Sequence, residues 1–226
     1  MPAFGDHPLP YGDAINALAP IQRHVTNMVS AVNFDYRGLD TLGEESMLLA
    51  AVTGASILLR GNRGEGLSAR AGEIPDRPIS PRSEVLAPLV RLIGPVTTIF
   101  GLYVGAHAMT TPGGGFQGGV IIASGLLLIF LGQDYRVWRR IVKSEMMDAC
   151  EGAGAALYGL AGFASMSMGA TFLTNILPLG QLTDVFSGGL MLVENAGVAL
   201  AVAGGFTVLL IEFLEETRAE NGEGAP

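Results

Sequence analysis

The chain alternates long apolar runs with short polar breaks. Four stretches, Glu84 to Met109, Gln117 to Gly132, Ala149 to Leu177 and Gly188 to Leu214, read as membrane helices, since crossing about 30 Å of hydrocarbon takes roughly 20 mainly apolar residues. A fifth, "GEESMLLAAVTGASILLR" from Gly43 to Arg60, has fewer apolar positions and reads as a span with a protein-lined end. Upstream, Leu18, Ile21, Val25, Met28 and Val32 recur at spacings of three and four, the stripe of an amphipathic helix, with Pro20 in its first turn. Arg23 and His24 occupy its other side, so this helix is expected at the interface, packed against partner subunits. The segment "GNRGEGLSARAGEIPDRPISPR" is rich in Gly, Pro and Ser and reads as a linker, and the tail "EETRAENGEGAP" reads as disordered. The pattern predicts an all-α, polytopic membrane protein of about five spans plus an N-terminal amphipathic helix. Its units are residues 1–60, a linker 61–83, a four-span unit 84–214 and a tail 215–226.

Basic residues orient these spans. Arg60, Arg63, Arg70, Arg77 and Arg82 lie between the first and second, and Arg136, Arg139, Arg140 and Lys143 between the third and fourth. Short loops rich in Lys and Arg stay cytoplasmic, whereas "TTPGGGF" and "PLGQLTDVFS" contain neither. An outside start and a cytoplasmic C-terminus in the cell's inner membrane fit every loop. Composition agrees: 49% of the 226 residues are hydrophobic and 15% charged, against about a quarter charged in a soluble domain. A net charge of −8 argues against a nucleic-acid partner. The N-terminus lacks the basic start and apolar stretch of a secretory signal. A single cysteine, Cys150, makes no internal disulfide, cannot hold an iron–sulfur centre and reads as a small packing residue.

The stretch "AMTTPGGGFQGGVIIASGLLLIFLG" raises the question of a phosphate loop. Such a loop follows a buried strand and, in its commonest form, carries a Lys before Ser or Thr. Here an apolar helical run precedes it and no Lys follows. Glycine instead permits positive φ and close backbone approach, and Pro112 stops the preceding helix, so a hairpin between antiparallel spans is the leading reading. The alternative is functional: irregular backbone at membrane depth survives where it lines a cavity, and its carbonyls with the Gln117 amide could hydrate a passing cation.

The same residues, Pro112, Gly113, Gly114, Gly115, Phe116, Gln117, Gly118 and Gly119, resemble the PGGGFQGG signature of the MnhB-type small membrane protein of the multisubunit Mrp-type Na⁺/H⁺ antiporters, shared by homologous components of membrane-bound energy-converting hydrogenases. The resemblance covers roughly Glu84 to Leu214. Upstream, "NFDYRGLDTLGEESMLLAAVTGASILLR" resembles a segment near the C-terminal end of the large antiporter component called A, which hydrogenase complexes carry as a separate small protein. The chain resembles a fusion of the two, departing at Arg23 and His24 and at Glu45, where an apolar or small residue is expected. The resemblance implies a hetero-oligomer in the lipid membrane with the large A and D components and the small C, E, F and G components of the antiporter, an assembly that can itself dimerise. It also implies no cofactor and no metal site, only transported Na⁺ and H⁺.

Ionisable residues within spans are expensive and default to a functional hypothesis. Glu194 lies about six residues into the last span, with Gly197, Ala201 and Gly205 on its small-residue face, so it is expected to look into the bundle, on an ion path or in a structural hydrogen bond. Asp35, Asp40, Glu44, Glu45 and Asp184 collect at the outer edge with Arg37 the only nearby basic residue. They would concentrate Na⁺ at a pore mouth, or form a solvated rim with Asp35 and Arg37 paired. The motif resemblance lifts Asp40 and Glu44 above the others, although Glu44 also suits a helix start. His107 ends the second span and would serve a proton relay, or bond a backbone carbonyl. Glu151 and Glu212 lie near inner span ends and are expected to reach back to the interface, as is Arg91, unless it pairs with one of them. Met166 and Met168 read as packing residues.

Three functions compete: a non-catalytic component of a cation/proton antiporter, lining or supporting the cation path and bridging its neighbours; the homologous component of a hydrogenase or respiratory complex; and a stand-alone transporter. No inverted repeat supports the third. No nucleophile, base and orienting acid stand together, which disfavours an enzyme.

Overall fold

The structure is a computed structural model that describes residues 10–62, 86–133, 138 and 140–223, with residues 61–62 and 215–223 described as backbone. The expected linker falls outside the described residues from position 63 on. The helices are α1 (Pro10–Arg23), α2 (Met28–Ala31), a π-helical turn (Val32–Tyr36), α3 (Gly38–Asn62), α4 (Leu86–Ala106), α5 (Gly115–Gly132), α6 (Ser144–Ser167) and α7 (Leu190–Glu223). No strand occurs among the described residues. The protein is an all-α, multi-pass membrane protein. Four helices are long and apolar enough to cross a membrane: Gly38–Arg60, Leu86–Ala106, Gly115–Gly132 and Leu190–Leu214. α6, which the sequence pattern reads as a membrane span over Ala149 to Leu177, is not among them: it has 24 residues but carries Glu145, Asp148 and Glu151. It lies antiparallel along α7, so five helices share one bundle.

Glycine brings the helices together backbone to backbone, the packing that replaces the hydrophobic effect inside lipid. A Cβ added to Gly154 of α6 would lie 2.4 Å from the Ala201 nitrogen and the Gly197 oxygen of α7, and one on Gly204 would lie 2.6 Å from the Glu151 nitrogen and the Met147 oxygen. The pair α4 and α5 closes the same way, with a Cβ on Gly118 falling 2.8 Å from the Gly101 oxygen. Gly119 seats α5 on Val202 and Ala203 of α7. α7 is thus the central helix, 56% buried over its apolar window against 22% for α4. The outward faces of α3 and α4, with Ile57, Leu58, Leu92 and Ile99 exposed, remain for lipid or neighbouring chains.

Several boundaries differ from the sequence pattern. α3 starts at Gly38 and runs 25 residues, which removes the apparent shortness of that span. α6 ends at Ser167 rather than Leu177. Residues 168–189 form an irregular loop in which Gly169, Leu173, Gly180, Thr183, Gly188 and Gly189 all have positive φ, a conformation that ends a helix. The last helix continues through Glu223 rather than ceding to a disordered tail; "EFLEETRAE" is made largely of good helix formers. The N-terminal stripe does not form one helix. Pro20 sits near the end of α1, where it lacks the N–H of an internal turn, and the chain breaks at His24, whose φ is 53°. Ile15 and Ala19 are the buried face of α1, while Leu18 and Ile21 are exposed. Met166 and Met168 also point outward instead of packing inside, whereas Cys150 is half-buried with its Cβ against Gly204.

Candidate ion-path site

The glycine hairpin is a structural corner. Gly113 holds φ +116°, the left-handed region that other residues avoid, and a Cβ there would lie 2.7 Å from Val104. Gly115 opens α5 so close to α7 that a Cβ would fall 2.3 Å from the Asn195 oxygen. Asn195, buried beside Glu194, accepts from the Gly115 N–H at 2.6 Å and donates to the Gly105 carbonyl at 2.9 Å, tying both arms of the hairpin to α7. The N-terminal element straps it from the other side. Thr26 and Asn27 donate their backbone N–H groups to the Met109 carbonyl. The Asn27 amide reaches the carbonyls of Ala108, Thr111 and Gly113 at 2.8 Å each, and the Ser30 hydroxyl donates to Ala108 at 2.7 Å. These tertiary bonds, invisible to helical periodicity, hold the break at His24 open. Of the other motif residues, Gln117 and Pro112 are exposed, and Phe116 packs edge-on to Phe206 at 6.2 Å.

Glu194 is fully buried, and neither of its carboxylate oxygens has a hydrogen-bond partner. Its helix face is the one expected. Gly197 meets Gly154 and Tyr158, Ala201 meets Gly154, and Gly205 meets Glu151 and Val52. Asp35 and the Tyr158 hydroxyl lie within electrostatic reach of the Glu194 carboxylate.

Of the outer-edge acids, the fold brings Asp35 within electrostatic reach of Glu194 and buries Glu45 beside the same Tyr158. The partner of Asp35 is Arg23, not Arg37, which pairs with Asp40 three residues on. The break after α1 turns Arg23 back over the π-helical turn, so this rim is less negative than the sequence pattern implies. A cavity of about 430 Å³ opens beside the Arg23–Asp35 pair, lined also by Tyr36, Thr171, Phe172 and Asn175. Asp40, Glu44 and Asp184 stay exposed. The His107 imidazole bonds the Tyr103 carbonyl at 2.9 Å and stacks on that ring, the helix-end arrangement rather than a relay position.

Sequence reasoning missed the acids at the middle and far end of the bundle. Glu151 and Glu212 do not reach the interface: both are buried, as is Glu45. Glu212 accepts from Arg60 Nε at 2.7 Å, and Arg60 also bonds Asp148 and Ser144. Arg91 instead donates to the Gly132 carbonyl at the end of α5. The signal lay in α3, where Thr41, Glu45, Val52 and Ser56 make one buried stripe. Glu45, the departure from the family pattern, belongs to that stripe. No group of His, Cys, Asp and Glu that could hold a metal occurs among the described residues.

A family model described as "Domain related to MnhB subunit of Na+/H+ antiporter" matches residues 85–208. The chain is 29% identical over 137 residues to the B component of the Na(+)/H(+) antiporter of Bacillus subtilis, covering 58% of this chain and 92% of that protein. It is also 29% identical over 203 residues to an uncharacterized protein of Methanocaldococcus jannaschii, covering 81% and 75%. Among solved structures it is similar to a chain of the membrane-bound sulfane sulfur reductase, an archaeal respiratory membrane complex. That match has a TM-score of 0.76 and 27% identity over 94% of this chain and 88% of the other.

Proposed function

Since the chain belongs to the family of domains related to the MnhB subunit of Na⁺/H⁺ antiporters, we propose that it is a non-catalytic membrane component of a multisubunit Na⁺/H⁺ antiporter, bridging its neighbours and lining the ion path with Glu194. One observation carries the ion-path role: a fully buried carboxylate with both oxygens unpartnered, at the centre of a bundle held together by glycine contacts. An ionised carboxylate in such surroundings costs far more than an ordinary burial returns, so its presence there argues for a proton or a cation that comes and goes. Partners are the other antiporter components, large A and D and small C, E, F and G, seated on the exposed apolar faces of α3 and α4. The N-terminal element stands in for the C-terminal end of the large A component. The membrane is the cell's inner membrane, with the glycine hairpin outside and the Arg60 end and C-terminus cytoplasmic. No cofactor is needed.

A second reading keeps this structural role and changes the host to a redox-driven respiratory complex. It is favoured by the extent of the likeness to the sulfane sulfur reductase chain, which takes in nearly all of both chains. The test of the ion-path role is Glu194→Gln in the intact complex, with Na⁺-dependent proton movement measured in inverted vesicles and assembly checked on native gels. Lost transport with normal assembly is expected. Wild-type transport would refute the role and leave the chain a scaffold.

A further inference from the structure

Five of the six buried side-chain oxygens without a partner among the described residues lie along one line, on Glu45, Ser56, Glu151 and Glu194. The line is the seam where α3 and α6 meet α7. Its levels can be read from packing. A Cβ on Gly205 of α7 would lie 3.0 Å from Glu151 Oε1 and 3.2 Å from Val52 Cγ2, so these three positions share one depth. Glu45 precedes Val52 by seven residues on α3 and Glu194 precedes Gly205 by eleven on α7. At about 1.5 Å of rise per residue they stand about 10 and 16 Å nearer the hairpin end. In the other direction Ser56 lies about 6 Å beyond Val52 and Glu212 about 10 Å beyond Gly205. From Glu194 to Glu212 the line covers about 27 Å, close to the thickness of a hydrocarbon core.

Electrostatic neighbours connect the levels. Asp35 is felt at Glu194, Glu194 and Glu45 at Tyr158, Glu151 at Glu45, and Asp148 at Glu151. Glu44 is felt at Glu45 and Tyr158 as well. The Tyr158 hydroxyl donates to the Gly38 carbonyl at 2.8 Å and has the Thr41 side chain against its oxygen. Beyond Asp148 stands Arg60, ion-paired to Asp148 and Glu212. At the hairpin end the line begins at the cavity beside Arg23 and Asp35.

We propose that Glu194, Glu45 and Glu151 form a proton relay along the α3–α6–α7 seam, running from the cavity beside Asp35 to the Arg60–Asp148–Glu212 cluster, and that Na⁺ does not take this route. The inference rests on the reading of the host as a cation/proton exchanger. Glu151 faces glycine and valine, and Glu194 sits on a face of glycine and alanine. Among the described residues neither carboxylate belongs to a group of His, Cys, Asp and Glu that could hold a metal ion, and neither stands in the ring of oxygens that replaces a cation's hydration shell in a selective pore. Isolated acids at intervals of about 6 to 10 Å along the seam suit a proton, passed through water and the unpartnered Ser56 hydroxyl. Each step moves one proton from a carboxylic acid to the next carboxylate, leaving the donor ionised and the acceptor neutral, with no change of redox state.

The test uses the whole complex in inverted vesicles. Glu45→Gln and Glu151→Gln should each slow cation-driven proton movement by roughly tenfold or more, with the Asp variants recovering part of the rate. Glu145→Gln, exposed on the same helix as Glu151, should leave it unchanged. Wild-type rates in both Gln variants would overturn the relay. A wild-type complex that moves no protons on a cation pulse would instead overturn the reading of the host. A second measurement needs no variant: dicyclohexylcarbodiimide modifies protonated carboxyl groups in apolar sites, and peptide mass spectrometry of the wild-type complex locates the adduct. Labelling of Glu45 or Glu151 that Na⁺ does not suppress supports the relay. Suppression by Na⁺, or no labelling at any of the three acids, overturns it.

Discussion

Replacing Gly154 by Ala should disrupt the bundle, whereas replacing Gly152, two residues away on the same helix, should not. At Gly154 the added methyl carbon would sit 2.4 Å from two backbone atoms of α7, Ala201 N and Gly197 O, and at Gly152 it would meet nothing within 4 Å. Backbone cannot rotate aside as a side chain can, so α6 and α7 would have to part by about 1 Å to restore ordinary contact. Such overpacking typically costs about 1–3 kcal/mol. The seam that holds Glu151 and Glu194 would open with it. Gly152→Ala carries no such cost and gains about 0.5–1 kcal/mol of helix propensity. Both variants receive the same methyl group, so composition and hydrophobicity cancel in the comparison. Thermal unfolding of the detergent-solubilised complex, followed by fluorescence-detected gel filtration, reads the difference. Gly154→Ala should aggregate at a lower temperature than wild type and Gly152→Ala at the same temperature or higher. Equal midpoints for the two would refute the argument that glycine here serves close backbone approach.

Asn195→Ala strips partners from the Gly115 N–H and the Gly105 carbonyl, two buried groups worth about 1–3 kcal/mol each when orphaned. The complex should lose stability in the same gel-filtration assay, and a midpoint within error of wild type would contradict the tie. His107→Gln should leave both the rate and the pH profile of proton movement unchanged, because the imidazole is occupied by the Tyr103 carbonyl and ring. A shifted profile would return His107 to the ion path.

The all-α membrane fold, the hairpin and the small-residue face of Glu194 were legible because each is written in one dimension: an apolar length, a Pro–Gly turn, a spacing of three and four. The stripe through Leu18, Ile21 and Val25 misled for the same reason. Its periodicity is real, but Thr26 and Asn27 bond the hairpin some 80 residues away, and that tertiary bonding breaks the helix. The partner of Asp35 was equally out of reach, since Arg23 approaches only after the break. Glu151 and Glu212 looked interfacial because of their nearness to span ends. They are buried because α3, joined to the rest of the chain through residues 63–85, closes over them and brings Arg60 to Asp148 and Glu212. Burial by a helix distant in sequence leaves no local trace.

That closure has a consequence for assembly. α3 supplies one wall of the acid-lined seam and the residues before it strap the hairpin, while the rest of the bundle comes from residues after position 85. Were the two parts separate chains, each complex would depend on their relative supply, and a bundle lacking α3 would expose Glu151 and Glu212 to lipid. Carried on one polypeptide, they meet within one molecule rather than by chance encounter of two chains. Every copy is then made with its wall in one-to-one stoichiometry, and no bundle enters the membrane with Glu151 and Glu212 uncovered.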